Sequence, residues 1–297
     1  MNTSLAPLWI GTTYEGNNPD YLRDILPCVN YLEISPDSIA TEKDGLSSIK
    51  PAILEELMAV SASKHLLVHG VGLSIGSADG FSQNYIRLLD ELFATLPITW
   101  HSEHLAYTMV NGQQLGTMLT LPRTDEAIDL ICRRVDWIQR RYQVPFLLEN
   151  VISLLPPYQT HYTEAAFLNK IVQKTGCGLI LDVYNLECDA VNVGLSISDF
   201  LDELHLDAVK ELHLAGGLVD DQGFQMDIHC LPTSQSTLAL TYQVLNRNPA
   251  NLQAITYEIL DEFIPSVGTK RIVEELKRLK KLYGSRNLTA ELAPAYQ

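Results

Sequence analysis

The chain alternates short apolar runs with longer segments in which apolar residues recur at helical spacing. Between the runs the period is that of an amphipathic helix, as along the face formed by Ala127, Ile131, Val135 and Ile138. Runs that are apolar throughout are typical of parallel strands covered by helices. The pattern predicts eight strands, at residues 8–12, 31–35, 65–69, 98–102, 145–149, 178–182, 210–214 and 254–258.

The repetition of strand and helix predicts an α/β fold, a closed (β/α)8 TIM barrel, in a single domain that spans residues 1–297. A doubly wound dinucleotide-binding fold is less favoured, because no Gly-x-Gly-x-x-Gly motif follows the first strand. The stretch 216–232 is longer than most connections and contains the sequence MDIHCLP. Its length indicates a functional loop over the mouth of the barrel.

The charge balance narrows the classes of partner. The chain has 36 acidic and 21 basic residues, for a formal charge of −15, which argues against nucleic acid and against an anionic membrane surface. No apolar run reaches the roughly 18 residues that span a bilayer. The five cysteines are scattered without Cys-x-x-Cys spacing, which fits reduced thiols better than disulfides. With no secretory signal at the N-terminus, these features predict a cytoplasmic protein.

Polar side chains end nearly every predicted strand. In a barrel of this type the active site lies at the C-terminal ends of the strands, so these side chains are expected to converge. A single histidine in a strand is more often a hydrogen-bonded core residue, and a single carboxylate such as Asp182 or Glu258 often caps the next helix. The recurrence favours a shared site instead, because burying so many unpaired ionisable groups would cost several kcal/mol each. The converging residues are His69, Glu103, His104, Glu149, Asn150, Asp182, His213 and Glu258, with Asn185 soon after Asp182 and with Asp227 and His229 from the long loop.

This set of side chains predicts a metal centre. Imidazole and carboxylate ligands without thiolate suit iron, manganese or zinc, and the set is larger than one ion can use. Two or more ions that share bridging carboxylates are therefore expected.

The stretch ITWHSEHLAY, residues 98–107, contains two histidines that a strand cannot direct to the same side. Side chains alternate along a strand, so His101 and His104, three residues apart, face opposite ways. We expect His104 to bind metal, His101 to be structural and Ser102 to be a small residue of the barrel interior. Glu103 is expected to orient His104 rather than to bind metal itself.

Six motifs of the chain resemble those of a known family. They are LLVHGVGLSIGS, SEHLAY, LLEN, TGCGLILDVYNLECDAVN, ELHLAGG and MDIHCLP, in that order. They resemble the multinuclear non-haem iron-dependent oxidative enzymes, long catalogued as a domain of unknown function. The resemblance implies a TIM barrel of the xylose-isomerase-like kind that holds two or three iron ions and uses O₂ as a cosubstrate. It also implies a cysteine-containing precursor peptide as substrate, often presented by a separate partner protein.

The resemblance also implies which residues bind metal. Matched motif by motif, the ligands are His69, His104, Glu149, Asn150, Asp182, His213, Asp227, His229 and Glu258. We expect Glu149 to bridge one iron held by His69 and His104 to another held by Asp182, His213 and Glu258. Asp227, His229 and Asn150 would then serve a third position. The chain departs from the common family pattern beside these ligands, with Tyr107 for tryptophan, Gly217 for histidine and Cys230 for glycine.

The prediction is an O₂-dependent non-haem iron oxidoreductase that modifies a peptide cysteine, with no membrane or nucleic-acid partner. One alternative is a sugar isomerase or phosphodiesterase on the same barrel that uses a divalent metal without redox chemistry. A second is a non-catalytic metal-binding scaffold of a peptide-modification pathway. Iron content and oxygen consumption distinguish the three.

Overall fold

A closed barrel of parallel strands forms the centre of the computed structural model, which describes residues 6–16, 18–43, 46–155 and 160–284. In these ranges the strands are β1 Trp9–Tyr14, β2 Tyr31–Ile34, β3 Ala40–Lys43, β4 Leu46–Ile49, β5 His65–Gly70, β6 Ile98–His104, β7 Ala106–Val110, β8 Gln113–Thr120, β9 Phe146–Glu149, β10 Gly178–Asp182, β11 Val209–Leu214 and β12 Ala254–Tyr257. The barrel order is β1-β12-β11-β10-β9-β6-β5-β2. Each of the eight predicted strands overlaps one barrel strand, so the predicted fold class is confirmed.

Helices lie between the strands and cover the barrel. They are α1 Pro19–Ile25, α2 Pro51–Ser61, α3 Gln83–Thr95, α4 Asp125–Tyr142, α5 Glu164–Thr175, α6 Val183–Asn192, α7 Ile197–Glu203, α8 Gln235–Asn246, α9 Ile264–Val267 and α10 Thr269–Tyr283. Side-chain oxygens cap several of their N-termini; Thr124, for example, accepts a hydrogen bond from the backbone of Ala127 at the start of α4. In the described ranges no helix is both long and apolar enough to cross a membrane. The ends of the predicted domain, 1–5 and 285–297, lie outside the described residues.

Two antiparallel hairpins, β3–β4 and β7–β8, were not predicted from the sequence. The second begins at Ala106, two residues after β6 ends, so the apolar pattern runs from one element into the next without a break. A sequence signal for it does exist. Asn111 and Gly112 form the two-residue turn, both with positive φ of 52° and 72°, which is the Asn-Gly pattern of a tight hairpin.

The interior of the barrel is apolar at one end and polar at the other. At the N-terminal end of the strands it is filled by a cluster that includes Tyr31, Leu67 and Trp100. Trp100, Ser102 and His104 alternate with His101 and Glu103 along β6, so the first three face the interior. His101 packs in the outer layer against the rings of Phe93, Tyr142 and Phe146, as its structural role predicts. The polar end of the barrel therefore holds the residues that could bind a ligand. If His101 and Glu103 faced the interior instead, Trp100 would have to lie in the outer layer and not in the interior cluster.

Gly11 on β1 is required by this interior packing. A Cβ at this position would lie 2.3 Å from the ring of buried Tyr31. We expect Gly11→Ala to lower the free energy of unfolding by about 1–3 kcal/mol, because the ring has no free space to move into. Denaturant titration measures the change. Ser48→Ala, at an exposed position of β4, is the control and should change stability by less than about 0.5 kcal/mol. Equal stability of Gly11→Ala and wild type would contradict this packing.

Candidate metal centre

Strand register brings the predicted ligands together at the C-terminal end of the barrel. His104 on β6 lies directly opposite Glu149 on β9, and Asp182 on β10 lies opposite His213 on β11. Glu258 follows β12, and its backbone N–H bonds to Leu214 at the end of β11. The sheet thus places the predicted ligands that lie on strands, since a shift of one residue in a strand would turn the side chain to the outer layer.

Hydrogen bonds fix which ring nitrogen of His69 is free. The Ser102 hydroxyl donates its proton to the carbonyl of Val68 at 3.1 Å, so it accepts from Nδ1–H of His69 at 3.0 Å. Nε2 of His69 is then unprotonated in the neutral ring, and it lies 2.9 Å from Oε2 of Glu149. In the neutral ring a lone pair therefore faces a carboxylate oxygen at hydrogen-bond distance, a contact that needs a cation, either a ring proton or a metal ion.

His104 repeats the same arrangement. Its Nδ1–H donates to the carbonyl oxygen of Gly70 at 3.0 Å, which leaves Nε2 free. Nε2 of His104 lies 3.5 Å from the same Oε2 atom of Glu149. Two imidazole lone pairs and one carboxylate oxygen thus converge on a single point, and a cation is the species that satisfies all three.

The other oxygen of Glu149 belongs to a second group of ligands. Oε1 of Glu149 lies 3.3 Å from Nδ1 of His213, and the same nitrogen lies 3.0 Å from Oε2 of Glu258. The ligand atoms of Glu149, Asp182, His213 and Glu258 all lie within 4.8 Å of one another, and so do those of His69, His104 and Glu149. Glu149 is common to both groups, which is the geometry of a bridging carboxylate.

The long loop brings Asp227 and His229 to the side of this centre. Nε2 of His229 is in close contact with Asp227 and lies 3.9 Å from Oδ2 of Asp182, while its Nδ1 lies 3.2 Å from Oε1 of Glu258. His229 is buried and has a positive φ of 42°, a conformation that is strained for a residue with a Cβ. The surrounding contacts hold the backbone in this conformation.

Tyr184 on α6 contacts both His229 and the backbone of the long loop, residues 216–232. Its hydroxyl donates to the carbonyl of Met226 at 3.1 Å, and its ring meets the His229 ring edge-on. A Cβ at Gly217 would lie 2.3 Å from this hydroxyl. Gly217 is thus the residue that admits Tyr184 here, which gives a physical reason for that departure from the family pattern.

Asn150 and Asn185 differ in what their amides can offer. The amide of Asn150 bonds twice to the backbone of Asp182, with Oδ1 accepting from its N–H at 2.8 Å and Nδ2 donating to its carbonyl at 3.1 Å. Asn185 donates through Nδ2 to the carbonyl of Asn150, but its Oδ1 is buried and has no hydrogen-bond partner in the described residues. Asn185 was not among the predicted ligands, although it follows Asp182 in the same motif.

Asp182 caps a helix, as the alternative interpretation of a single carboxylate predicted, and it also faces the candidate centre. Oδ1 accepts from the backbone N–H of Asn185 at 2.7 Å and so caps α6. Oδ2 is buried without a hydrogen-bond partner among the described contacts. One carboxylate thus serves the helix and the site at once.

Three further carboxylates lie around the centre, and two of them were missed by sequence reasoning. Glu103 accepts from Tyr85 at 3.0 Å and lies 2.9 Å from Nε2 of His101, in the outer layer, so any effect on His104 passes through β6. Glu33 and Glu211 are buried in the barrel interior, both next to His213. Each sits inside an apolar strand and ends none, which is why the pattern did not single them out.

Burial and mutual charge shift the titration of the whole group. Burial opposes a charged His69, but Glu149 and Glu33 more than offset it and raise its pKa to about 9. Burial likewise works against ionised Glu258, yet His229 and His213 hold its pKa well below the ordinary value. Burial raises the pKa of Asp182 well above its usual range. Burial and the mutual charges of these histidines and carboxylates thus determine the direction in which each pKa shifts.

The donor set fits a metal ion. Among the described residues, His69 Nε2, both oxygens of Glu149, Asp182 Oδ2 and His229 Nε2 are buried and lack a hydrogen-bond partner. Orphaned buried polar atoms are costly, and these all face one another. Nitrogen and oxygen donors of this kind suit iron, manganese or zinc.

Nearby thiols are poor candidates for ligands. Burial, with the charges of Asp227 and Asp182, raises the pKa of the Cys188 thiol far above its ordinary value. Burial also raises the pKa of Cys230, the neighbour of His229. Among the described residues neither thiol belongs to a group of donor atoms that lie within 4.8 Å of one another, so the candidate centre is one of nitrogen and oxygen.

Comparison with solved structures agrees with the barrel. A xylose isomerase domain containing protein from Salmonella typhimurium aligns with a TM-score of 0.60 at 11% identity, over 92% of this chain and 96% of that one. D-psicose 3-epimerase from Clostridium cellulolyticum aligns with a TM-score of 0.57 at 12% identity, over 95% and 100%. At this identity the likeness shows the fold alone, which is a xylose-isomerase-like TIM barrel. In the present chain the candidate metal centre lies at the C-terminal ends of the barrel strands.

Sequence comparison shows the family. The model of the RiPP precursor modification enzymes MbnB/TglH/ChrH, which act on ribosomally synthesised and post-translationally modified peptides, matches residues 11–283. A UPF0276 protein of Psychromonas ingrahamii is 28% identical over 87% of this chain and 89% of its own, and one of Caulobacter vibrioides is 31% identical over 76% and 79%. The chain belongs to the MbnB/TglH/ChrH family of peptide-modifying enzymes, which confirms the resemblance read from the motifs.

Removal of the shared carboxylate should empty the centre. We expect Glu149→Ala to lose metal relative to wild type, because both ligand groups lose their common member. Inductively coupled plasma mass spectrometry of the purified proteins measures metal per chain, and circular dichroism checks that the variant is folded. Asp189→Asn changes a buried acid that bonds to Ser153 outside the cluster, so it should keep its metal. Equal metal content in Glu149→Ala and wild type would show that the site is misassigned.

Proposed function

We propose that this chain binds two or three iron ions at the described cluster, activates O₂ and oxidises a cysteine of a ribosomally made precursor peptide. The observation that carries the proposal is the convergence of the free Nε2 atoms of His69 and His104 on Glu149. Family membership supports a peptide as the substrate. The excess of ligands over the needs of one ion supports a multinuclear centre.

The proposed ligand set follows the two groups around Glu149 and a third position at the loop. His69 and His104 hold one ion, and Asp182, His213 and Glu258 hold another, with Glu149 between them. Asp227 and His229 serve the third position. We place Asn185 there in preference to Asn150, since its Oδ1 is the amide oxygen without a hydrogen-bond partner.

Iron at these positions would supply one-electron redox chemistry and open coordination positions for O₂ and a substrate thiolate. The chain itself holds the ligands in fixed orientation. Ser102 and the Gly70 carbonyl keep Nδ1–H of the two histidines turned away from the centre, so that both Nε2 atoms remain available. Burial of the ligands limits access of water, which protects a reactive oxidant from side reactions.

The long loop is the proposed boundary between the centre and the substrate. It carries two ligands, and Tyr184 ties it to α6, so peptide binding above it can act directly on the third position. Presentation of the peptide by a partner protein and a cytoplasmic location are part of the same proposal. The net charge of −15 supports a neutral or basic peptide over a nucleic acid.

The two asparagines can be separated by substitution. We expect Asn185→Ala to lose about one ion per chain and Asn185→Asp to keep it, because aspartate retains an oxygen donor. Asn150→Ala should keep its metal but unfold at a lower temperature, since two hydrogen bonds to the Asp182 backbone are lost. Metal analysis and thermal unfolding measure both effects. Metal loss in Asn150→Ala with none in Asn185→Ala would assign the ligand role to Asn150.

The activity can be tested with a cysteine-containing precursor peptide. The protein is loaded with Fe(II) without oxygen and then mixed with this peptide, a presenting partner protein and O₂. We expect oxygen uptake and a changed peptide mass, neither of which occurs with a Cys→Ser peptide. Zn(II)-loaded protein is the matched control for redox chemistry and should be inactive. Full turnover of a sugar by iron-free protein would contradict the proposal.

A further inference from the structure

Two buried glutamates lie deeper in the barrel than the centre, on the far side of the His213 ring. Glu33 on β2 and Glu211 on β11 are 1% and 0% exposed. Nε2 of His213 lies 3.2 Å from Oε2 of Glu33 and 3.7 Å from Oε1 of Glu211. Nδ1 of the same ring faces Glu149 and Glu258. The ring thus connects the proposed centre to a second acidic layer.

Glu211 is already satisfied by other donors. It accepts hydrogen bonds from Nε1 of Trp100 at 2.8 Å, from Oγ1 of Thr256 at 2.5 Å and from the hydroxyl of Tyr31 at 3.2 Å. Because the Tyr31 hydroxyl also lies 2.6 Å from Oγ1 of Thr256, its one proton is shared between Thr256 and Glu211, and Trp100 and Thr256 are the two full donors to this buried carboxylate. Its place in the structure is explained by the packing of the barrel interior.

Glu33 has no such set of donors. In the described residues its Oε1 is buried and has no hydrogen-bond partner, and its Oε2 is within hydrogen-bond distance of His213 Nε2. A fully buried carboxylate whose one hydrogen-bonding contact is a ring nitrogen is costly for stability alone. Its geometry is that of a carboxylate–histidine–metal triad, in which the carboxylate holds the ring.

We infer that Glu33 is a positioning residue for the metal centre. It accepts the Nε2–H proton of His213, which fixes the tautomer and directs the Nδ1 lone pair at the ion shared with Glu149 and Glu258. The opposite tautomer would place a proton in that ion's position. This inference rests on the proposed metal centre, and it extends the site to a residue that touches neither the ion nor the substrate.

The test uses Co(II) as the probe in wild type, Glu33→Ala and Glu33→Gln. Chelator competition measures Co(II) affinity, and proton NMR records the hyperfine-shifted, solvent-exchangeable N–H signals of metal-bound histidines. We expect Glu33→Ala to bind Co(II) about 10–100-fold more weakly and to lose the His213 N–H signal to fast exchange with water. The signals of His69 and His104, whose N–H groups bond to Ser102 and Gly70, should remain as internal references.

If Glu33→Ala does not fold, Glu33→Gln still tests the positioning role, because glutamine keeps the size of the side chain. Its amide oxygen can still accept the proton, so we expect an N–H signal that is retained but shifted, with affinity between those of Glu33→Ala and wild type. The control is Glu275→Gln on α10, a buried glutamate that also has an unpartnered oxygen but pairs with Arg278 outside the barrel. It should match wild type in affinity and in all N–H signals.

The outcomes separate this inference from the proposed function. Wild type that binds Co(II), with affinity and N–H signals unchanged in both Glu33 variants, would overturn the positioning role and leave the centre standing. Wild type that binds neither Co(II) nor Fe(II) would overturn the metal centre and the role of Glu33 together.

Discussion

Two imidazole lone pairs directed at one buried carboxylate are the constraint on which the site depends. Ser102 and the carbonyl of Gly70 accept the Nδ1 protons of His69 and His104, so each Nε2 is directed at Glu149. When the rings are neutral, such contacts are repulsive unless a cation lies between the atoms. The other oxygen of Glu149 faces His213, which extends the same requirement across the mouth of the barrel. A metal ion bound at this point would make the observed hydrogen bonds consistent with one another.

The interior of the barrel has two ends with different roles. One end is apolar and stabilises the fold, and the other holds the polar side chains of the candidate site. At the N-terminal end of the strands, Trp100 and its apolar neighbours fill the interior and supply stability. At the other end the register of parallel strands aligns His104 with Glu149 and Asp182 with His213. Glu33, between the two ends, connects the apolar packing to the ligands. The predicted ligands on the loop differ from those on the strands, since the strained backbone of His229 is held by contacts and is not fixed by the sheet.

The sequence predicted the barrel, and most of the side chains that meet in the candidate site, for one physical reason. Parallel strands buried on both faces are apolar throughout, so a histidine or carboxylate that ends such a run is conspicuous, as with His104 and Glu149. The same reasoning missed Glu33 and Glu211, which lie within their strands and contact His213 only after the barrel closes. The family resemblance named Asn150 and not Asn185 as a ligand, and the sequence does not reveal that the amide of Asn150 bonds to the backbone of Asp182. The hairpin β7–β8 was missed although its Asn-Gly turn is visible in the sequence.

The central claim concerns where cations sit, and anomalous X-ray scattering measures that most directly. Crystals of protein loaded with iron in the absence of oxygen would be measured on both sides of the iron absorption edge. The account predicts one anomalous peak between Oε2 of Glu149 and the Nε2 atoms of His69 and His104, and a second beside Oε1 of Glu149 near Nδ1 of His213. Iron-loaded crystals with ordered side chains and no anomalous peak within bonding distance of Glu149 would contradict it.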